Sequence, residues 1–114
     1  MMDYKRGDIV IVNFNPQRKP EEVAKVRPAI VISDSQLNQV LDLITVVALS
    51  TNLIDGAEPL RVRIPQRENL EKESDAMIEQ LRTVSKKRVG EKVGSLTNAE
   101  MEKIVYGIKE MLAL

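Results

Sequence analysis

Apolar runs punctuate the first half of the chain, and each ends in residues that stop a strand. Residues 8 to 14, Asp-Ile-Val-Ile-Val-Asn-Phe, are β-branched and apolar behind Gly7 and predict a first strand, closed by Asn15-Pro16. The stretch from Gln17 to Lys25 is polar and charged and predicts a loop. Arg27-Pro28 opens a second apolar run, Ala29 to Ile32. The proline biases Arg27 to extended backbone and suits a strand start or a sheet edge. Residues 35 to 41 fit a short helix. Leu43 to Leu49 predicts a third strand buried on both faces, ended by Ser50-Thr51-Asn52.

Asp55-Gly56 then signals a turn. Leu60, Val62 and Ile64 alternate with Arg61 and Arg63, which predicts a half-exposed strand with a solvated arginine face. Residues 75 to 84 predict one continuous fifth strand, and Val89 to Leu96 a short sixth one interrupted by Gly90 and Gly94. The period then changes. Thr97 and Glu100 fit a capping box, each accepting from the other's backbone N–H. Met101, Ile104, Val105, Ile108, Met111 and Leu112 fall on one helical face, read as core or dimer packing. Gly107 is unfavourable inside a helix and marks a close approach. Short strands followed by one amphipathic helix predict a mainly β fold: a small, partly open antiparallel barrel with the C-terminal helix over one side. Residues 1 to 114 read as a single domain, with no internal repeat, low-complexity segment or linker.

Composition narrows the chemistry. Hydrophobic residues make up 43% of the 114 and charged residues 30%, as in ordinary globular proteins. No apolar run approaches the roughly 18 residues that span a bilayer. No apolar stretch follows the first basic residues, as a secretory signal requires. Cysteine is absent, so there is no disulfide framework or thiolate metal site, and the cytoplasm is the expected location. Histidine is absent too, which removes the usual acid/base near neutral pH. Catalysis must then use arginine, lysine, carboxylates, hydroxyls or backbone groups. Neither a phosphate-cradling glycine motif nor a metal-ligand cluster is present, and no cofactor is expected. Seventeen basic residues balance seventeen acidic ones, so bulk charge argues mildly against a nucleic-acid partner. Local charge is uneven: Arg82, Lys86, Lys87 and Arg88 form one basic cluster, and Arg61, Arg63 and Arg67 another.

The order of motifs resembles the MazF/PemK (Kid) family of type II toxin–antitoxin toxins. The residues that carry the resemblance begin with Arg6-Gly7-Asp8-Ile9-Val10 and Asn15-Pro16. Val26-Arg27-Pro28-Ala29-Ile30-Val31-Ile32 and Ala48-Leu49-Ser50-Thr51-Asn52 follow. Asp75 to Val84, containing Glu79-Gln80-Leu81-Arg82-Thr83, and then Lys86-Lys87-Arg88 complete the set, with a closing helix after Leu96. The resemblance implies an SH3-like barrel, a homodimer, and metal-independent cleavage of single-stranded RNA. In that reaction the 2′-hydroxyl attacks the adjacent phosphorus and leaves a 2′,3′-cyclic phosphate and a 5′-hydroxyl. It also implies neutralisation by a MazE-like antitoxin. The family's loop between the first two strands carries a Glu-Gln-Gly-Gly type segment, whereas this chain has Pro20-Glu21-Glu22-Val23-Ala24-Lys25. Two other readings stand beside it: a gyrase poison of the CcdB type, and a non-catalytic SH3-like binding module. The chain ends Met111-Leu112-Ala113-Leu114, without the aromatic that such gyrase poisons present.

Within that resemblance Arg27 is the first catalytic candidate. In-line attack piles negative charge on the non-bridging phosphate oxygens, and a guanidinium offers them a fixed donor fork. Taken alone, Arg27 reads as a structural arginine paired with an acid. Ser50 matches the family's catalytic hydroxyl; its bland reading is a strand-end hydroxyl bonded to backbone. Thr51 is the neighbouring alternative, and strand register decides between them. A guanidinium is a poor base, so Glu22 and Glu79 are candidates for accepting the 2′ proton or orienting Arg27. Gln80, Arg82, Lys86 and Thr51 are candidates for RNA contact, Gln80 and Arg82 by sharing one strand face. Each reads equally well as part of a solvated strand or turn.

Overall fold

β-Branched runs build the sheet where the alternation places them. A computed structural model of the chain describes residues 3–14 and 26–114. The strands are β1 (Asp8–Asn13), β2 (Val26–Val31), β3 (Leu43–Ser50), β4 (Arg61–Ile64), β5 (Ser74–Met77), β6 (Arg82–Ser85) and β7 (Val89–Ser95). Two helices accompany them, α1 (Ser35–Val40) and α2 (Asn98–Leu112). The sheet is antiparallel and runs β4-β5-β3-β2-β1-β7, with β6 also paired to β3. No ladder among the described residues joins β4 to β7, so the curled sheet stays open. Side contacts narrow the gap: Asn69 N–H donates to the Val93 carbonyl at 2.9 Å, and Arg67 reaches the Ser95 carbonyl at 3.1 Å. This is the partly open antiparallel sheet with a C-terminal helix that the pattern predicts.

Both faces of the sheet are buried. One carries Ile9, Ile30, Val47, Leu49 and Ile64, packed with Ile78 on Met101 and Ile104 of α2. The other carries Val10, Val12, Val31, Ile44, Val46 and Val84, closed by Tyr4. Each buried Ile or Val contributes about 1.5–3 kcal/mol. The capping box opens α2, with Thr97 N–H donating to Glu100 at 2.9 Å and Glu100 N–H to Thr97 at 3.2 Å. Asp34 caps α1 by accepting from Gln36 and Leu37 N–H. At Gly107 the expected close approach is real: a Cβ there would stand 2.5 Å from the Pro59 carbonyl oxygen and 3.1 Å from Ile78. Leu112, at the end of the stripe, is exposed.

The continuous strand expected over residues 75 to 84 is instead two strands joined by a 3-10 turn at Ile78–Gln80. β5 pairs with β3 at Leu49 and Ser50, and β6 pairs with the same strand from Leu43 to Val46. Between them the chain leaves the sheet edge so that Ile78 sinks fully into the core beneath Gly107, its N–H held by the Leu60 carbonyl at 3.0 Å. Tertiary packing of one isoleucine overrides the local β pattern. Gln80 and Arg82 therefore do not share a strand face. Gln80 lies in the turn and Arg82 begins β6.

Candidate active site

A row of side chains crosses the sheet at the open end of β3. Val12 of β1 stands opposite Arg27 of β2. Ala29 stands opposite Ala48 where the β2–β3 ladder ends, and Arg27 and Ser50 lie two residues beyond that pair on the same two strands, on the face it shares. Ser50 is paired with Asp75, and Asp75 with Arg63. Directly opposed residues in an antiparallel sheet present their side chains on one face, with Cβ atoms about 4.5–5.5 Å apart. Arg27, Ser50, Asp75 and Arg63 thus form a line on one side of the sheet, built by four different strands.

Arg27 and Ser50 line one concavity of about 330 Å³. Thr51, Asn52 and Ser74 supply its other polar groups, and Val26, Pro28 and Leu49 its apolar wall. Among the described residues no carboxylate lines it. Pro28 fixes the backbone beside Arg27, which is half-buried. The ion pairs among the described residues engage Arg61, Arg63, Arg67 and Lys92, and Arg27 is in none of them. Ser50 Oγ accepts from Asn52 N–H at 3.1 Å, which is the strand-end contact of the bland reading, and its hydroxyl proton is still free to donate elsewhere. Ser50 is the last residue of β3 and shares Arg27's face, whereas Thr51 begins the exposed loop beyond. Thr51 also lines an adjoining concavity of about 320 Å³, floored by Ile11, Leu70 and Val93.

The remaining candidates lie elsewhere. Glu79 is 3.5 Å from Arg61 and does not line the Arg27–Ser50 concavity. Gln80 is exposed in its turn. The Arg82 guanidinium stacks over Phe14, 5.2 Å from the ring centroid. Lys86 Nζ donates to the Asn38 carbonyl at 2.5 Å and so ties the turn after β6 to α1. Glu22 and the loop around it lie outside the described residues.

A model of the PemK-like, MazF-like toxins of type II toxin–antitoxin systems matches residues 5–112. The chain belongs to that family. A curated relative, "Endoribonuclease MazF" of Staphylococcus epidermidis, is 29% identical over 111 residues, covering 96% of this chain and 92% of the relative. Among solved structures, a MazE-MazF crystal structure from Deinococcus radiodurans superposes with a TM-score of 0.83 at 19% identity, covering 100% of this chain and 99% of that one. An endoribonuclease in complex with its cognate antitoxin, from a mycobacterial species, gives 0.76 at 20% identity, with 100% and 97% covered. These structural likenesses speak for the fold.

In this MazF-like chain the β4 arginines are not the solvated face that alternation predicts. Arg63 is half-buried: its Nε donates to Asp75 Oδ1 at 2.5 Å and its Nη2 to Asp55 Oδ1 at 2.9 Å. Arg61 is 17% exposed beside Glu79. Arg67 grips Glu100 through two bonds of 2.5 Å. Asp75, at 1% exposure, also accepts from Ile54 N–H at 2.7 Å. Burial pushes the Asp75 carboxyl up, but the Arg63 and Ile54 donors outweigh it and hold the group below its ordinary value. The sequence did contain a signal for the acid of this pair. Asp75 heads the apolar stretch Ala76 to Ile78, where a buried charge needs a partner, but nothing local names Arg63 as that partner. Asn52 and Ser74, which line the concavity, carried no such signal.

Proposed function

We propose that this chain, a MazF-family toxin endoribonuclease, cuts single-stranded RNA by metal-independent attack of a 2′-hydroxyl on the neighbouring phosphorus. A bond forms from O2′ to phosphorus, the bond from phosphorus to O5′ breaks, and the products are a 2′,3′-cyclic phosphate and a 5′-hydroxyl. One observation carries this reading: Arg27, with no ion partner among the described residues, lines the same concavity as Ser50. The Arg27 guanidinium clamps the non-bridging oxygens as charge builds there, and the Ser50 hydroxyl donates to the phosphate. Thr51 and Asn52 at the rim add donors for the flanking sugar or base.

The described lining supports a reaction run without a metal, since among the described residues the concavity offers guanidinium, hydroxyl and amide groups and no carboxylate. The proton from O2′ needs an acceptor, and the departing O5′ takes a proton from water to become the 5′-hydroxyl. Glu79 is engaged by Arg61, which leaves Glu22 as this chain's candidate. Arg82 and Lys86 give phosphate contacts away from the cut, and Gln80 reads an unstacked base. By analogy with its relatives the protein acts as a cytoplasmic homodimer and is silenced by a MazE-like antitoxin. Among the described residues no helix is long and apolar enough to cross a membrane.

The test is to incubate the purified protein with a long mixed-sequence RNA in EDTA and analyse the ends. Cuts bearing 2′,3′-cyclic phosphate are expected. Uncut RNA together with inhibited gyrase supercoiling replaces this reading with the gyrase-poison one.

A further inference from the structure

We propose that Asp75 and Arg63 are positioning residues for the catalytic end of β3, holding Ser50 and the loop after it where phosphoryl transfer needs them. This rests on the reading of Arg27 and Ser50 as the RNA-cutting pair. Asp75 is the cross-strand neighbour of Ser50. Both of its oxygens are committed, Oδ1 to Arg63 Nε at 2.5 Å and Oδ2 to Ile54 N–H at 2.7 Å. Arg63 reaches past Asp75 to the same loop, donating to Asp55 at 2.9 Å. The loop from Thr51 to Gly56 is thereby tied at Ile54 and Asp55, while Asn52 N–H binds back on Ser50 Oγ at 3.1 Å. Thr51 and Asn52, which line the concavity, lie between those ties.

Fold stability alone does not call for such a pair. Burying the Asp75 carboxylate is costly even with Arg63, 35% exposed, beside it, and apolar residues of like volume often serve such a position as well or better. What an apolar pair lacks is an acceptor for the Ile54 N–H. Without that acceptor the loop is free to shift, and a displacement of about 1 Å at a reacting group lowers a rate by up to about 100-fold. Contacts made only in the transition state depend on that placement, so the loss falls on kcat and not on KM.

Three variants separate position from charge. Asp75→Leu combined with Arg63→Met removes the ion pair and the loop acceptor together. Asp75→Asn combined with Arg63→Gln also removes charge, but its amide oxygen still accepts from Ile54 and its amide nitrogen donates to the glutamine. Asp75→Glu keeps the charge and moves the carboxylate by one methylene. The leucine–methionine pair is expected to lower kcat about 10- to 100-fold with KM within about threefold. The asparagine–glutamine pair restores most of kcat, and Asp75→Glu falls between the two. Hydrogen exchange at the Ile54 amide, read without RNA, is slow in wild type and in the asparagine–glutamine pair and fast in the leucine–methionine pair. Wild-type kcat in both Asp75→Glu and the leucine–methionine pair overturns the proposal, as does equal loss of kcat in the two double variants. A wild-type protein that cuts no RNA while Ile54 protection still follows Asp75 sinks the functional reading instead, and the catalytic role assigned here with it.

Discussion

Arg27 and Arg67 belong to the same chemical class and both lie partly buried against the sheet, yet they stand in opposite surroundings. Arg67 is enclosed by acceptors: two Glu100 oxygens at 2.5 Å and the Ser95 and Pro65 carbonyls at 3.1 Å. Its partner Glu100 also closes the capping box, so one guanidinium pins the β4–β5 connection to β7 and to the start of α2. Arg27 has no ion partner among the described residues and opens into a concavity with Ser50. The first arrangement commits four of the five guanidinium N–H donors to the fold. The second keeps a charged fork in reserve for an anion that arrives from outside. What separates a structural arginine from a functional one here is the neighbour it is given, and strand position alone does not reveal it.

Exchanging the two roles by mutation tests that division. Arg27→Ala is expected to lower kcat about 100- to 1,000-fold, the usual cost of removing one preorganised donor from a developing charge. Stability should move by less than about 0.5 kcal/mol, since no internal ion partner among the described residues is stranded. Arg67→Met should do the reverse. It leaves Glu100 and the Ser95 carbonyl half-buried and short of a donor, a loss of about 2–3 kcal/mol in unfolding free energy, with kcat per folded molecule unchanged. Urea melts and single-turnover cleavage on the same preparations read both quantities. An Arg27→Ala protein that melts early, or an Arg67→Met protein that melts normally but cuts slowly, breaks the comparison.

The same contrast shows how far the sequence carries. Period-2 runs and the Thr97–Glu100 cap were legible because they are local, and so were the short helix at Ser35 and the approach at Gly107. The meeting of Arg27 and Ser50 was legible through strand ends set in a familiar motif order. Alternation told which β4 residues share a face, but not what stands opposite them. Asp75 lies 12 residues from Arg63, and Glu100 lies 33 from Arg67, so the acids that fix those arginines arrive only with the folded sheet. The break at Ile78 was hidden for a similar reason. Nothing within residues 75 to 84 announces that one side chain will leave the strand to pack under a helix.

The smallest expected effect concerns acid, and it separates the two arginine settings without any substrate. Asp75 and Glu100 have ordinary values of 3.8 and 4.5, and both are held lower in the folded protein. Burial raises Asp75 and is outweighed by its Arg63 and Ile54 donors; for Glu100 the Arg67 guanidinium is the largest influence and lowers it. A carboxylate held below its unfolded value adds stability that is complete above the unfolded value and is lost as pH falls through the folded one. Melting temperature should therefore be nearly flat from about pH 7 to about pH 5 and fall below that. Arg27→Ala should trace the wild-type curve, because Arg27 holds no described acid in its ionised form. The Asp75→Asn, Arg63→Gln pair should lose less on acidification, since one of the two depressed carboxylates is gone. An Arg27→Ala curve that flattens instead means that Arg27 steadies an acid of its own, which would return it to the structural class that Arg67 occupies.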